Sequence, residues 1–184
     1  MNKYGEILED GALYFVRELP GDIDRAWAWI VEADKRARWL CGGGDVRRAG
    51  ETIKFAFRHK DLTPHEDVIP EKYKDMEDGV TFDVEVTAFE PPRRLVIWWP
   101  SPEGDNEIEF RLSETGGLVK LELFQRGDIP AEHLLGSCAG WHTHLDIMAA
   151  KRDGETPPPM WATHEALFEE YRVRLKDVLA RLPE

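Results

Sequence analysis

The stretch that decides the fold runs from Asp128 to Gly154, DIPAEHLLGSCAGWHTHLDIMAAKRDG. Asp128 suits a helix N-cap, Pro130 suits a first turn where a missing N–H costs nothing, and Gly154 suits a stop. At about 100° per residue, Leu134, Cys138, Trp141, Leu145, Met148 and Ala149 gather within about 100° of arc, the width of a core-facing stripe. The spacing therefore predicts one long helix with a buried face. Gly136 and Gly140 lie one turn apart on the opposite side, with Thr143 and Ile147. A glycine inside a helix costs about 1 kcal/mol against alanine. Something is expected to pack closely there, either the last helix or a second subunit of a homodimer, unless the glycines are merely tolerated.

Working outward, the preceding residues supply the surface on which such a helix would lie. Leu13 to Leu19 reads as a first strand, closed by Pro20-Gly21. Asp22 or Asp24 can cap a short helix bearing Ala26, Trp27, Ile30 and Val31, and a second turn ends at Trp39-Leu40. The triplet Gly42-Gly43-Gly44 lacks the Lys-Ser/Thr of a phosphate loop and is read as a flexible connection. Glu51 to Arg58 alternates, with Ile53, Phe55 and Phe57 on one face. His59 to Gly79 is polar and carries Pro64 and Pro70 without a sustained period; it reads as a long excursion, either a cover for the mouth of a cavity or an ordinary surface insertion.

Val80, Phe82, Val84, Val86 and Ala88 again share one face, Arg94 to Trp99 runs back, and Ile108, Phe110 and Leu112 alternate before Gly116-Gly117 leads into Val119, Leu121 and Leu123. Sequential strands joined by short turns make an antiparallel meander. After a proline-rich break at 155–159, Thr163 can cap a final helix, about 161–182, whose stripe is His164, Leu167, Phe168, Tyr171, Leu175, Val178 and Leu179. The expected fold class is α+β: a curved antiparallel sheet wrapped around a long C-terminal helix, with two short helices after the first strand. A twisted sheet curls, so a straight helix across its concave side need not fill the interior.

The totals limit the functions. A chain of 184 residues fits one domain with a proper core, about 13–154, plus the last helix. A net charge of −12 with no basic stripe argues against nucleic acid. No apolar run approaches the ~20 residues needed to span a bilayer and no signal peptide is apparent, so a cytoplasmic protein without membrane partners is expected. Cys41 and Cys138 have neither metal nor redox spacing.

These elements resemble the SRPBCC superfamily, the helix-grip fold shared with START domains and the birch-pollen allergen, and within it the branch named for activators of the heat-shock chaperone ATPase. The resemblance is carried by Arg17-Glu18-Leu19 entering Asp24-Arg25-Ala26-Trp27, by Trp39, by Ala88-Phe89-Glu90-Pro91-Pro92-Arg93-Arg94-Leu95, by Glu109-Phe110-Arg111-Leu112 and by Gly140-Trp141-His142-Thr143-His144-Leu145-Asp146. It covers roughly Leu13 to Gly154 and implies a hydrophobic cavity between sheet and long helix. Relatives act as ligand carriers, polyketide cyclases and resistance proteins. The family has no invariant catalytic set, and the 59–79 excursion departs from its usual pattern.

Candidate site residues follow. For a small hydrophobic or aromatic ligand they are Trp39, Phe55, Phe57, Phe82, Trp98, Phe110, Trp141, His142, Leu145 and Met148. Trp98 and Trp99 point to opposite faces of one strand, so only one of them can be inside. His142 and Asp146, four apart on a helix, are the candidate catalytic pair for a cyclase or hydrolase, or else a carboxylate satisfying a buried imidazole. His142-Thr143-His144-Leu145-Asp146 spells HxHxD, but residues two apart on a helix are separated by about 200°, so no metal is expected. No cofactor is implied. A chaperone-binding module is the remaining alternative.

Overall fold

In the computed structural model, which describes residues 3–100, 104–127 and 129–180, the alternating stretches assemble into one eight-stranded antiparallel sheet. Its strands are β1 (Glu6–Ile7), β2 (Leu13–Pro20), β3 (Gly42–Gly43), β4 (Thr52–Phe57), β5 (Val80–Glu90), β6 (Arg94–Trp99), β7 (Asn106–Thr115) and β8 (Leu118–Gly127), in the order β1-β2-β8-β7-β6-β5-β4-β3. The meander β5 to β8 forms the middle, and β2 joins β8 with Phe15 opposite Leu123. The long helix α3 (Ala131–Asp153) lies on the concave face, which makes this a helix-grip α+β fold. Gly154 ends α3 in the left-handed region at φ +75°, a conformation that glycine adopts without penalty. Pro130 occupies the N-cap position, and Asp128 lies outside the described residues.

Several local expectations hold and others change. Asp22 caps α1 (Ile23–Val31) by accepting from Arg25 N at 2.7 Å. After α2 (Ala33–Arg36), the glycine triplet is no loose connection. Gly42 and Gly43 pair with Ala56 and Phe55 as an edge strand. A Cβ on Gly43 would sit 1.9 Å from the Lys54 carbonyl oxygen, so only glycine fits this close approach. The fully buried Arg36 fastens the corner. Its guanidinium donates to the carbonyls of Ile30, Val31 and Gly44 and lies 4.4 Å from the Phe55 ring centre.

A single buried stripe on α3 is too little. Leu134, Cys138, Trp141, Leu145 and Met148 are buried as expected, but so are Leu135, Ala139, Thr143 and Ile147 on the other side. The last helical region covers that side as α4 (Met160–Arg174) and a turn, α5 (Lys176–Leu179), so α3 is sandwiched. Thr163 does not cap α4. That role falls to Asp67 of the excursion, whose carboxylate accepts from the backbone N–H groups of Trp161 and Ala162. A second strap runs from His65 Nε2 to the Pro157 carbonyl at 2.9 Å, and a third from Lys72 to Glu165 at 3.0 Å. With two 3-10 turns, His59–Asp61 and Glu71–Met76, the 59–79 segment is thus bound to α4.

The outer sheet face carries a buried charge. Glu109 points outward as its strand position requires, yet it is 1% exposed because Arg94, Arg111 and Arg126 close over it at 2.7 Å each. Burial works to raise its pKa, but the three guanidinium hydrogen bonds prevail and bring it down to about 2.

Candidate functional site

Large side chains fill the space directly between sheet and long helix. Trp99 meets Phe55, Phe57, Phe82 and Trp141 edge-on, Phe110 meets Trp39 and Trp141, and Phe57 stacks on Phe82 at 5.5 Å. Leu145 and Met148 are 1% exposed within the same core. The expected ligand residues Trp39, Phe55, Phe57, Phe82, Phe110, Trp141, Leu145 and Met148 are therefore brought together, but as packing; none of them lines the cavities described below. Trp98 turns outward, 36% exposed, because the β6 register places Trp99 on the concave face instead.

The open space lies along a flank of α3. A cavity of about 650 Å³ is bounded on α3 by His133, Gly136, Ser137, Gly140 and His144, a small-residue stripe at helical spacing. Trp99, Asn106 and Gln125 close it from the sheet, Met160, Trp161, His164 and Phe168 from α4, and His59, Lys72, Tyr73 and Met76 from the excursion. The glycines noted in the sequence serve two purposes. Gly136 lets the Tyr73 hydroxyl approach, since a Cβ there would be 3.2 Å from it, whereas a Cβ on Gly140 would meet nothing within 4 Å. A smaller cavity of about 320 Å³ under the excursion shares His59, Met76, Met160 and Trp161 with the first.

The walls are largely aromatic, and burial keeps three of their imidazoles uncharged. Tyr73 stacks on Trp161 with ring centres 5.2 Å apart, and His59 lies 5.1 Å from Trp161 and 5.6 Å from His144. Burial, then the neighbouring His164, pushes His59 down to about 4, and burial, then His59, pushes His144 down to about 3. His164 is lowered for the same first reason, although Glu165 and the Gly136 backbone oppose it. These imidazoles are uncharged at neutral pH. The amides are already partnered: Gln125 donates to Asn106 at 3.1 Å and accepts from the Trp141 indole at 2.7 Å. Lys72 is committed to Glu165 and to the face of Phe168, 3.9 Å from its centre.

The candidate pair His142 and Asp146 does meet, at 3.4 Å, but on another side of α3. His142 is 4% exposed, bonded through Nδ1 to the Tyr171 hydroxyl at 2.9 Å and enclosed edge-on by Tyr4 and Phe15. Asp146 also holds Arg17 at 3.2 Å, while the Tyr171 hydroxyl accepts from Gly5 N. The pair is part of a cross-link between β2, α3, α4 and the N-terminal segment, and neither residue lines either of these two cavities. Cys138 makes no nucleophile beside it, because burial pushes its thiol up to about 12. Among the described residues, no group of three His, Cys, Asp or Glu is placed to hold a metal ion, and no helix is long and apolar enough to cross a membrane.

The sequence reasoning left Trp98 and Trp99 as alternatives for the inner position, and it missed His59, His144, Tyr73, Trp161 and His164. Two signals pointed there, Gly136 and Gly140 on the non-stripe face and the 59–79 excursion read as a cover for a cavity mouth; the glycines mark a surface that leaves room as readily as one that packs tightly.

A curved antiparallel sheet gripping a long C-terminal helix, with a cavity beside that helix, defines a helix-grip protein of the SRPBCC type. Residues 21–151 match the family described as activator of Hsp90 ATPase homolog 1-like protein, and the chain belongs to that family. A protein of Bordetella parapertussis solved in solution is 37% identical, with a TM-score of 0.78 over 95% of this chain and 91% of that one. CalU16 from Micromonospora echinospora is 21% identical, with a TM-score of 0.63 over 92% of this chain and 93% of its own. DynU16, described as a putative protein in the dynemicin biosynthetic locus, is 18% identical, with a TM-score of 0.63 over 82% of this chain and 49% of its own. At those identities the last two show likeness of fold. No curated protein matches the chain in sequence.

Proposed function

We propose that this protein binds a small apolar or aromatic molecule in the cavity between α3, α4 and the 59–79 excursion. The observation that carries the reading is the cavity itself. About 650 Å³ falls within the roughly 300–1,000 Å³ of small-molecule sites, and its walls combine aromatic rings with amide, hydroxyl and imidazole groups. Affinity would come from apolar burial at roughly 25 cal/mol per Å². The DynU16 description supports a place near the making or handling of small organic molecules, as do the carriers and cyclases implied by the sequence resemblance. The burial of His142 at 4% exposure, on a side of α3 away from both cavities, supports binding over catalysis by the His142–Asp146 pair.

The test uses tryptophan emission and thermal unfolding against a panel of aromatic and polyketide-like compounds. Trp99 and Trp161 line the cavity, so a bound aromatic quenches emission and raises Tm. Trp161→Phe should remove part of the quenching. If a broad panel moves neither signal, the reading is wrong.

A further inference from the structure

The cavity wall contains one hydrogen-bonding atom whose polarity the protein has already settled. His144 is 6% exposed and its Nδ1 lies 2.7 Å from the Trp39 carbonyl oxygen. A carbonyl only accepts, so Nδ1 carries the proton and donates; Nε2, on the far edge of the neutral ring, offers a lone pair. Among the described residues Nε2 has no partner. It is also absent from the unpartnered atoms sealed inside the packing, where Nδ1 of His59 is found. Since His144 is otherwise buried and lines the cavity, the cavity is where Nε2 is reached.

The surroundings restrict what can answer that lone pair. Among the described residues no Asp or Glu lines the cavity, and the lysine there, Lys72, is held by Glu165 and Phe168. The Gln125 and Asn106 amides are tied to one another, and both His164 nitrogens have neighbours, Glu165 at 3.1 Å and Tyr73 at 3.5 Å. Flat rings border the opening on the α4 side, and Gly140 leaves the α3 side free for a planar body to lie against.

We propose that the cavity selects a planar aromatic molecule bearing a hydrogen-bond donor, in the simplest case a phenolic hydroxyl, which donates to Nε2 of His144. This rests on the ligand-binding reading above and adds the polarity of recognition to it. A ligand offering only an ether or carbonyl oxygen at that point sets lone pair against lone pair, and both lose the water they had. The hydroxyl is held and not ionised, because an imidazole that stays neutral down to about pH 3 is a far weaker base than a phenolate. His144 is accordingly a specificity-determining residue and not a catalytic base.

The experiment is calorimetric titration of the full chain with naphthalene, 2-methoxynaphthalene and 2-naphthol, and with the same three substituents on anthracene. The hydroxyl compound of the preferred ring size is expected to bind about tenfold more tightly than the other two. In His144→Leu the three affinities should converge while the parent hydrocarbon still binds. In the unaltered protein, the ¹⁵N resonance of the unprotonated His144 nitrogen should move on adding the hydroxyl compound and stay still with the methyl ether, a readout that needs no variant to fold. If all three substituents bind equally and the nitrogen does not respond, the polarity proposal fails and the binding reading stands. Tightest binding by the methyl ether overturns the tautomer. If none of the six compounds binds, the binding reading fails and takes this proposal with it.

Discussion

Gly140 provides the sharpest perturbation, because the glycine cost and the cavity can be separated there. It sits inside α3 with helical backbone, and a Cβ built on it meets no heavy atom within 4 Å. Gly140→Ala therefore removes the helix penalty of about 1 kcal/mol with no steric cost opposing it. In a chain of this length that raises Tm by about 2–4 °C. Gly136→Ala is the internal control, since its Cβ would press on the Tyr73 hydroxyl at 3.2 Å and disturb that group's approach to His164; its net effect should be near zero. Gly140→Phe then fills the space the glycine leaves and should weaken the best compound of the panel at least tenfold without lowering Tm. Circular-dichroism melting and calorimetry on the three variants supply the measurements. A Gly140→Ala protein that melts below the parent, or a Gly140→Phe protein that binds normally, would refute the account of this face.

Other outcomes follow from the buried charges and imidazoles. His59, His144 and His164 all lie below the ordinary 6.5 of histidine in the folded chain, so between pH 6.5 and about 4 the unfolded chain binds more protons and stability falls as pH falls. Urea midpoints should be level for these groups above pH 6.5, decline below it, and decline less in His59→Phe; an identical slope in the variant contradicts the assignment. Asp146 acts lower still. Burial works to raise it, but the His142 hydrogen bond and the Arg17 charge hold it below 3.8, so its contribution is present above that pH and lost beneath it. Asp146→Ala leaves the buried Arg17 unpaired and should cost about 2 kcal/mol in urea unfolding, less than a wholly buried pair because Asp146 is 26% exposed. Replacing both, with Arg17→Met and Asp146→Leu, should recover most of that loss. Glu109→Gln leaves the guanidiniums of Arg94, Arg111 and Arg126 facing one another, and its deficit, about 2 kcal/mol, should shrink in 1 M salt as repulsion is screened.

What could be read from the chain alone follows from local periodicity. Val80 to Ala88 and Val119 to Leu123 alternate because a half-buried strand must, and Leu134 to Met148 recur at helical spacing because one side of α3 faces the sheet. The same rule placed Phe55, Phe57, Phe82 and Phe110 on the concave face. It could not say whether such rings leave a hollow or fill it, since period reports direction and carries no information about distance.

Distance is what the tertiary structure decided. Trp98 and Trp99 alternate equally well either way, and only pairing with Asn106 and Glu107 put Trp99 inside. His142 and His144 are two residues apart in one motif. Packing of α4 enclosed the first against Tyr171, while the Trp39 carbonyl turned the second to present a lone pair to open space. The excursion likewise became a wall of the cavity through Asp67, His65 and Lys72 meeting residues about ninety positions away. Such pairings leave no periodic trace, because they join segments whose local sequences are independent. The elements were therefore set by local chemistry and the cavity by long-range contacts.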